Sequence, residues 1–281
     1  MRTNEVIGLI PCAGRGSRIS PLPCSKEILP VGLRRISDGS LRPKVVSHYL
    51  LEMMRAGGIH KTFFIIRKGK WDIPEYYGDG ASFGMDIGYL MMGRPHGPAY
   101  TLDQAYPFVK ESRVAVGFPD ILFEPIHAFR RALKQLDATR ADVVLGLYRA
   151  HDIRIWDIVI TDRSGRVHEL LIEPKKTKSG LAWVFAVWTS KFTEFMHAYL
   201  GGPRVAAERP GSDLPVEVTV GEVIQAAVGE GLQTQSVVFR RNDYLDIGTP
   251  EGLRKAAARV RSLAKVRLNQ IRKHKTIGDW P

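Results

Sequence analysis

The residues best placed to do chemistry crowd near the start of the chain. Gly14 and Gly16 bracket Arg15, Arg18 and Lys26 follow, and no acid intervenes between Glu5 and Glu27. Glycine lets the backbone approach a ligand and turn its N–H groups toward oxygens. Arginine offers a planar fork of donors and lysine a compact charge, and both suit phosphate. An apolar strand opening into such a loop is a way to build a polyphosphate cradle. Two acids far along the chain deserve the same scrutiny: Asp120 ends Gly117-Phe118-Pro119-Asp120, and Asp246 sits in Asp246-Ile247-Gly248-Thr249-Pro250. Each either starts the next helix as a cap or presents a carboxylate to a ligand. Two better-known phosphate loops are excluded. Gly14-Arg15-Gly16-Ser17-Arg18-Ile19 lacks the third glycine of a dinucleotide fingerprint, and no Gly-Lys-Ser/Thr follows as a Walker loop requires.

These groups need a scaffold, and the order of elements supplies one. Residues 5–11 read as a strand. Residues 43–57 have helical apolar spacing and close on Gly57-Gly58. Strands are expected at 61–66, 85–91, 113–118 and 141–148, with helices over 98–109 and 125–137. Asp162-Arg163-Ser164-Gly165 marks a hairpin between 158–160 and 167–172. Strands follow at 181–188 and 235–240, with a helix over 217–231. A closing helix spans 250–268, capped by Thr249 with Pro250 in its first turn. Such alternation predicts a Rossmann-like α/β fold: a mostly parallel sheet flanked by helices, with an inserted β-rich region. Ligands of such sheets lie beyond the carboxyl ends of the strands, where the glycine loop and Asp120 both fall. One domain is expected over 1–281, in three parts: residues 1–150, residues 151–249 and a basic C-terminal helix and tail (250–281).

Composition narrows the function classes. The 281 residues are 44% hydrophobic and 25% charged, ordinary values for a globular protein. No apolar stretch approaches the roughly 18–20 residues of a membrane helix. Val6–Ile10 is too short for a signal-peptide core. Cys12 and Cys24 are the only cysteines, and no CxxC or histidine cluster accompanies them. That argues against zinc and suits a reducing cytoplasm. Nine cations and no acid between Arg254 and Lys275 account for most of the net charge of +12. The reading that needs least is a solvated basic helix beside an anionic substrate. No aromatic RNA-binding motif or helix-turn-helix supports nucleic-acid binding.

The segments taken together resemble the sugar-phosphate nucleotidylyltransferases, the uridylyl- and thymidylyltransferases of glucose 1-phosphate most of all. The resemblance rests on Ile10-Pro11-Cys12-Ala13-Gly14-Arg15-Gly16-Ser17-Arg18, then Pro21, then Lys26-Glu27-Ile28-Leu29-Pro30-Val31, with Ser17 keeping a hydroxyl where the family has threonine. It continues through Gly117–Leu122 and Asp243–Pro250, and so spans nearly the whole chain. Shorter matches are Tyr77–Gly84, Gly97-Pro98-Ala99 and Glu173-Pro174-Lys175.

The resemblance implies an enzyme that transfers NMP from an NTP to a sugar 1-phosphate, or to another phosphate or phosphonate, with release of pyrophosphate. It implies Arg18, Lys26 and Asp120 as catalytic residues, and Mg²⁺ held by Asp120 and Asp246. The nucleotide would be held by Pro11, Ala13, Gly14, Arg15, Gly16, Ser17, Met92 and Gly97. The acceptor would meet Glu173 and either Lys175 or Lys176. Met92 stands where one branch has a glutamine, and a thioether cannot reproduce an amide's paired donor and acceptor. Backbone groups, Arg94 or His96 would then read the base. A homo-oligomer is expected, without membrane or nucleic-acid partners. The alternative from another class is a non-catalytic nucleotide or sugar sensor on the same fold.

Overall fold

The computed structural model describes residues 5–36, 38–93, 96–150, 156–172, 174, 180–202, 217–239 and 244–258. Its first strand, β1 (Val6–Pro11), is apolar throughout because it lies inside the sheet with both faces covered. Beside it run β4 (Lys61–Arg67) and β6 (Arg113–Gly117), both parallel to it, and β5 (Asp86–Met92) pairs with β4 in the same sense. The chain leaves β1, builds β4 and β5 on one side, then returns to lay β6 on the other. The strand order therefore reverses at β1, and the crevice beyond its carboxyl end is where such sheets hold ligands.

Past β6 the sheet changes sense. β11 (Leu181–Trp188) runs antiparallel to β6 and to β8 (Val143–Arg149), and β12 (Thr234–Val238) lies parallel to β8. The β11–β8 pairing shifts register between Trp183 and Phe185, and β11 also pairs at Ala182 with β9 (Ile158–Thr161), which forms a hairpin with β10 (Val167–Leu171). The expected turn is there: Asp162 Oδ1 accepts bonds from the amides of Ser164 and Arg166. The nine-stranded sheet is thus parallel from β6 through β1 and β4 to β5 and largely antiparallel beyond β6.

Helices cover both faces. On one, α1 (Val46–Ala56), α2 (Asp72–Tyr77) and α5 (Ala128–Thr139) pack Leu50, Met54 and Phe129 against Phe64 and Phe185. On the other, α3 (Pro98–Asp103), α4 (Tyr106–Val109), α6 (Ser190–Leu200) and α7 (Val220–Gly229) bury Leu102, Phe192 and Ile224 against Val116 and Trp188. Each large buried side chain contributes roughly 1.5–3 kcal/mol, before the entropy of ordering it.

Several expectations change. Residues 43–45 are not helical: they end β3 (Leu41–Val45), which pairs antiparallel with β2 (Pro30–Arg35) in a separate ribbon. The expected 98–109 helix is two helices, because Pro107 lacks the N–H that would carry the ladder on from Asp103. The helix expected from 125 begins at Ala128. α2 and α6 were not anticipated. Most of the basic C-terminal segment lies outside the described residues. The closing helix is helical over 250–258, and Thr249 Oγ1 caps it by accepting from Gly252 N at 3.1 Å.

Candidate active site

The site begins where β1 ends. Cys12 N donates to Ile65 O at 2.8 Å, so the chain keeps strand register for one residue past Pro11. Arg67 Nε then holds the Ala13 carbonyl at 3.0 Å. Gly16 turns the loop at φ 66°, a conformation that costs other residues about 1–2 kcal/mol. The chain comes back through Lys26, whose ammonium points across the crevice.

On the far side a second ribbon brings two distant acids together. β7 (Ile121–Phe123) pairs antiparallel with β13 (Tyr244–Asp246), so that Asp246 stands opposite Ile121. The next bond, Ile247 N to Asp120 O at 2.9 Å, locks the two segments just where the acids sit. Gly248 borders the space between them. A Cβ added there would lie 2.7 Å from Asp120 Oδ2, 2.9 Å from Asp246 Oδ1 and 3.2 Å from Arg18 Nη2. Both carboxylates and one guanidinium therefore face a single point that only glycine leaves open.

The electrostatics follow from this crowding. Lys26 Nζ pairs with Asp120 Oδ2 at 2.5 Å, with both side chains largely buried. Burial opposes the charge on Lys26, yet Asp120, Glu27 and Asp246 together hold its pKa above the ordinary lysine value. Asp246 shifts upward, first through burial and then through the like charge of Asp120, despite the Gly248 amide and the two nearby cations. Arg18 lies 3.7 Å from Asp246 and is about half exposed, so that contact is worth little by itself. It leaves the guanidinium at the mouth of the cleft with donors to spare.

The fit of a metal can be judged from these donors. Two carboxylates converging on a gap that a methyl would fill offer hard oxygen ligands. Among the described residues no group of three His, Cys, Asp or Glu forms a self-sufficient cage. Magnesium is commonly bound by one or two carboxylates, completed by water and substrate phosphates. The paired carboxylates of Asp120 and Asp246 are a donor set of that kind.

A cleft of about 790 Å³ contains this centre. Of the residues singled out from sequence, Pro11, Ala13, Gly14, Arg15, Ser17, Arg18, Lys26, Gly97, Asp120 and Asp246 line it. Gly16 faces a smaller cavity behind the loop. Met92 is buried in the core, and its sulfur accepts a bond from the Thr101 hydroxyl at 3.2 Å. Thr101, not Met92, reaches the cleft wall. Glu173, Lys175, Lys176 and Arg94 lie outside the described residues.

Sequence reasoning missed the opposite wall: Phe118, Trp156, Asp157, Trp183, Glu217 and Thr219. Trp183 Nε1 donates to Asp157 Oδ2 at 3.0 Å, linking β11 to the segment before β9. One signal for this wall was readable. Thr219-x-x-Glu222 is a capping box, and both of its bonds form, at 2.6 and 3.1 Å.

The chain belongs to the nucleotidyl transferase family, whose model matches residues 7–262. Among characterised relatives, a glucose-1-phosphate thymidylyltransferase of Streptomyces antibioticus is 27% identical over 82% of this chain and 60% of its own length. A low-salt glycan biosynthesis nucleotidyltransferase of Haloferax volcanii is 24% identical over 89% of the chain and 64% of its own length. The chain thus spans less than two thirds of these relatives. A glucose-1-phosphate thymidylyltransferase of Neisseria meningitidis is 22% identical over 92% of the chain and 84% of its own length. The fold is shared with a UTP-bound UGPase from Acinetobacter baumannii, with a TM-score of 0.72 at 14% identity over 94% of this chain and 99% of that one. A UDP-glucose pyrophosphorylase complexed with UDP-glucose also gives 0.72, at 15% identity over 92% and 99%.

The position of Asp246 depends on close backbone packing behind it. A Cβ on Gly252 would lie 1.7 Å from the Asp246 carbonyl oxygen. Gly252→Ala should therefore push the closing helix off β13 and cost about 1–3 kcal/mol. Thermal or urea denaturation measures this, and an unchanged midpoint would show that the helix does not brace Asp246.

Proposed function

We propose that the chain transfers a nucleotidyl group from an NTP to a phosphorylated acceptor, a sugar 1-phosphate by preference, and releases pyrophosphate. What carries the reading is one arrangement: Lys26 paired with Asp120, and Asp246 beside them, at the mouth of a glycine loop. The family supports the same reaction class, and relatives named as thymidylyltransferases of glucose 1-phosphate point to the acceptor. Residues 1–150 would serve the nucleotide and 151–249 the acceptor, within one domain.

The chemistry asks little covalent work of the protein. Attacking phosphate and α-phosphate are both anionic, so the barrier lies in bringing them into line and offsetting their charge. Amides near Ala13, Gly14 and Gly16 would cradle the triphosphate. Arg18, with its exposed fork, would hold two oxygens of the departing pyrophosphate. Lys26 would move its charge from Asp120 toward the α-phosphate, where negative charge grows. Mg²⁺ would be held by Asp120 and Asp246 and, when bound, would draw off charge from the phosphate oxygens. No general base is required, since the acceptor phosphate is already ionised.

Gly97 would lie against the base, with Thr101 and backbone groups reading its edge. Trp156, Asp157 and Trp183 would face the acceptor, together with Glu173 and Lys175 or Lys176. We read the protein as working in the cytoplasm and as a homo-oligomer. Among the described residues no helix is long and apolar enough to cross a membrane.

Two expected results follow. Asp120→Asn and Lys26→Ala should each lower pyrophosphate release by ~10²–10³-fold or more while leaving a cooperative unfolding transition. A coupled phosphate-release assay, run with five NTPs against a panel of sugar phosphates and phosphonates, measures this. Full turnover by both variants would defeat the assignment. A wild-type protein that binds nucleotide but turns over nothing would favour the sensor reading.

Millimolar Mg²⁺ with NTP should also raise the melting temperature of the wild type, by linkage. Gly248→Ala should abolish that Mg²⁺-dependent rise, because its methyl fills the gap between the carboxylates. An undiminished rise in the variant would place the metal elsewhere.

A further inference from the structure

Lys26 is one of three consecutive residues, and its two neighbours are gripped from a single direction. Asp72 Oδ2 accepts from the Ser25 amide and Asp72 Oδ1 from the Ser25 hydroxyl, each at 2.7 Å. Lys70 Nζ donates to both carboxylate oxygens of Glu27, at 2.6 and 2.7 Å. The Ser47 hydroxyl donates to the Glu27 carbonyl at 2.6 Å, and Tyr77 OH in turn meets Ser47 Oγ at 2.6 Å. Lys70 lies in the turn after β4 and Asp72 opens α2 just beyond it, behind the glycine loop. Between turn and loop lies a cavity of about 320 Å³ lined by Arg15, Gly16, Ser25, Lys26, Lys70 and Asp72.

The Glu27–Lys70 pair is expensive to bury. Glu27 is 0% exposed and Lys70 5%. Burial raises the Glu27 pKa although Lys70 and Lys26 both oppose the shift. A well-packed apolar pair would hold a fold equally well in most proteins, so stability alone gives a weak reason for two such charges. What the ion pair adds is direction. A bidentate contact fixes the orientation of Glu27, and the Asp72 contacts fix that of Ser25, so the backbone of Lys26 cannot turn at either end. From that held backbone its side chain crosses the crevice to Asp120.

We propose that Lys70 and Asp72 are positioning residues for Lys26, acting through Glu27 and Ser25. This rests on the role given to Lys26 in the proposed reaction. The clamp keeps the ammonium on the line between Asp120 and the incoming α-phosphate, so it serves the transition state more than substrate binding. Losing it should lower kcat with a smaller change in KM for NTP.

The test replaces the buried pair as a unit. Glu27→Met combined with Lys70→Met removes both charges and leaves neither orphaned. Asp72→Ala removes the second grip, and Asp72→Asn keeps a side-chain oxygen for Ser25. Three readouts are taken on full-length protein: the unfolding midpoint, the rate at which an amine-acylating reagent modifies Lys26 (by peptide mass mapping), and kcat and KM for pyrophosphate release.

The expected result is a folded double variant in which Lys26 acylates several-fold faster and kcat falls about 10- to 100-fold, the usual effect of lost support around a site. Asp72→Ala should do the same, and Asp72→Asn should recover most of both losses. Wild-type acylation and wild-type kcat in folded variants would overturn the proposal. If the double variant does not fold, the Asp72 pair decides by the same readouts. If the wild type releases no pyrophosphate from any substrate, the reaction assigned to the site fails, while the acylation rates still decide whether the clamp holds Lys26.

Discussion

Two carboxylates and a lysine, all largely buried, share a small space beyond the ends of β1 and β6, and most of the structure follows from making that tolerable. Asp120 and Asp246 repel, and burial first, then that repulsion, raises the pKa of Asp246. Lys26 offsets the repulsion at 2.5 Å from Asp120, and Arg18 does so less closely from the cleft mouth. Removing one partner of such a buried pair typically costs about 3–5 kcal/mol, so the arrangement is tense but self-consistent. It is also poised. A phosphate could take Lys26, and a divalent cation could take the two carboxylates, each ending the repulsion in a different way.

The fold supplies this geometry from three remote parts of the chain. The parallel half of the sheet sets the glycine loop and Asp120 side by side, because β1 and β6 are neighbours in register. The β7–β13 ribbon then draws Asp246 across more than a hundred residues of sequence to stand opposite Ile121. Gly248 and Gly252 make room, one in front of the carboxylates and one behind. Such sites tolerate little rebuilding, since any Cβ at these glycines meets polar atoms or backbone.

How much of this was legible depends on whether a feature was local. The β1 strand, the loop after it, the Asp162 turn and the Thr249 cap are each written in consecutive residues, and each forms as expected. The strand-end acids were legible as candidates because apolar runs lead into them, but only pairing of β7 with β13 brings them to one point. The 43–57 helix was over-extended because Pro43-Lys44-Val45 carries no periodic signal of its own; pairing with β2 decides it. Trp156, Asp157 and Trp183 become one wall only through the β9–β11 contact, which no short window could reveal. The same holds for the grip of Lys70 on Glu27. Met92 shows the converse: its place in the sequence suggested the base, and its buried side chain faces the core.

The central proposal is that Asp120 and Asp246 would hold a divalent ion while Lys26 would turn to the nucleotide. Anomalous diffraction from crystals grown with Mn²⁺ and a non-hydrolysable NTP analogue tests it most directly. The account predicts a metal peak bonded to an oxygen of each aspartate and to the α-phosphate, with the Lys26 ammonium within hydrogen-bond reach of a phosphate oxygen. A peak that touches neither aspartate, or a nucleotide bound away from the loop after β1, would contradict it.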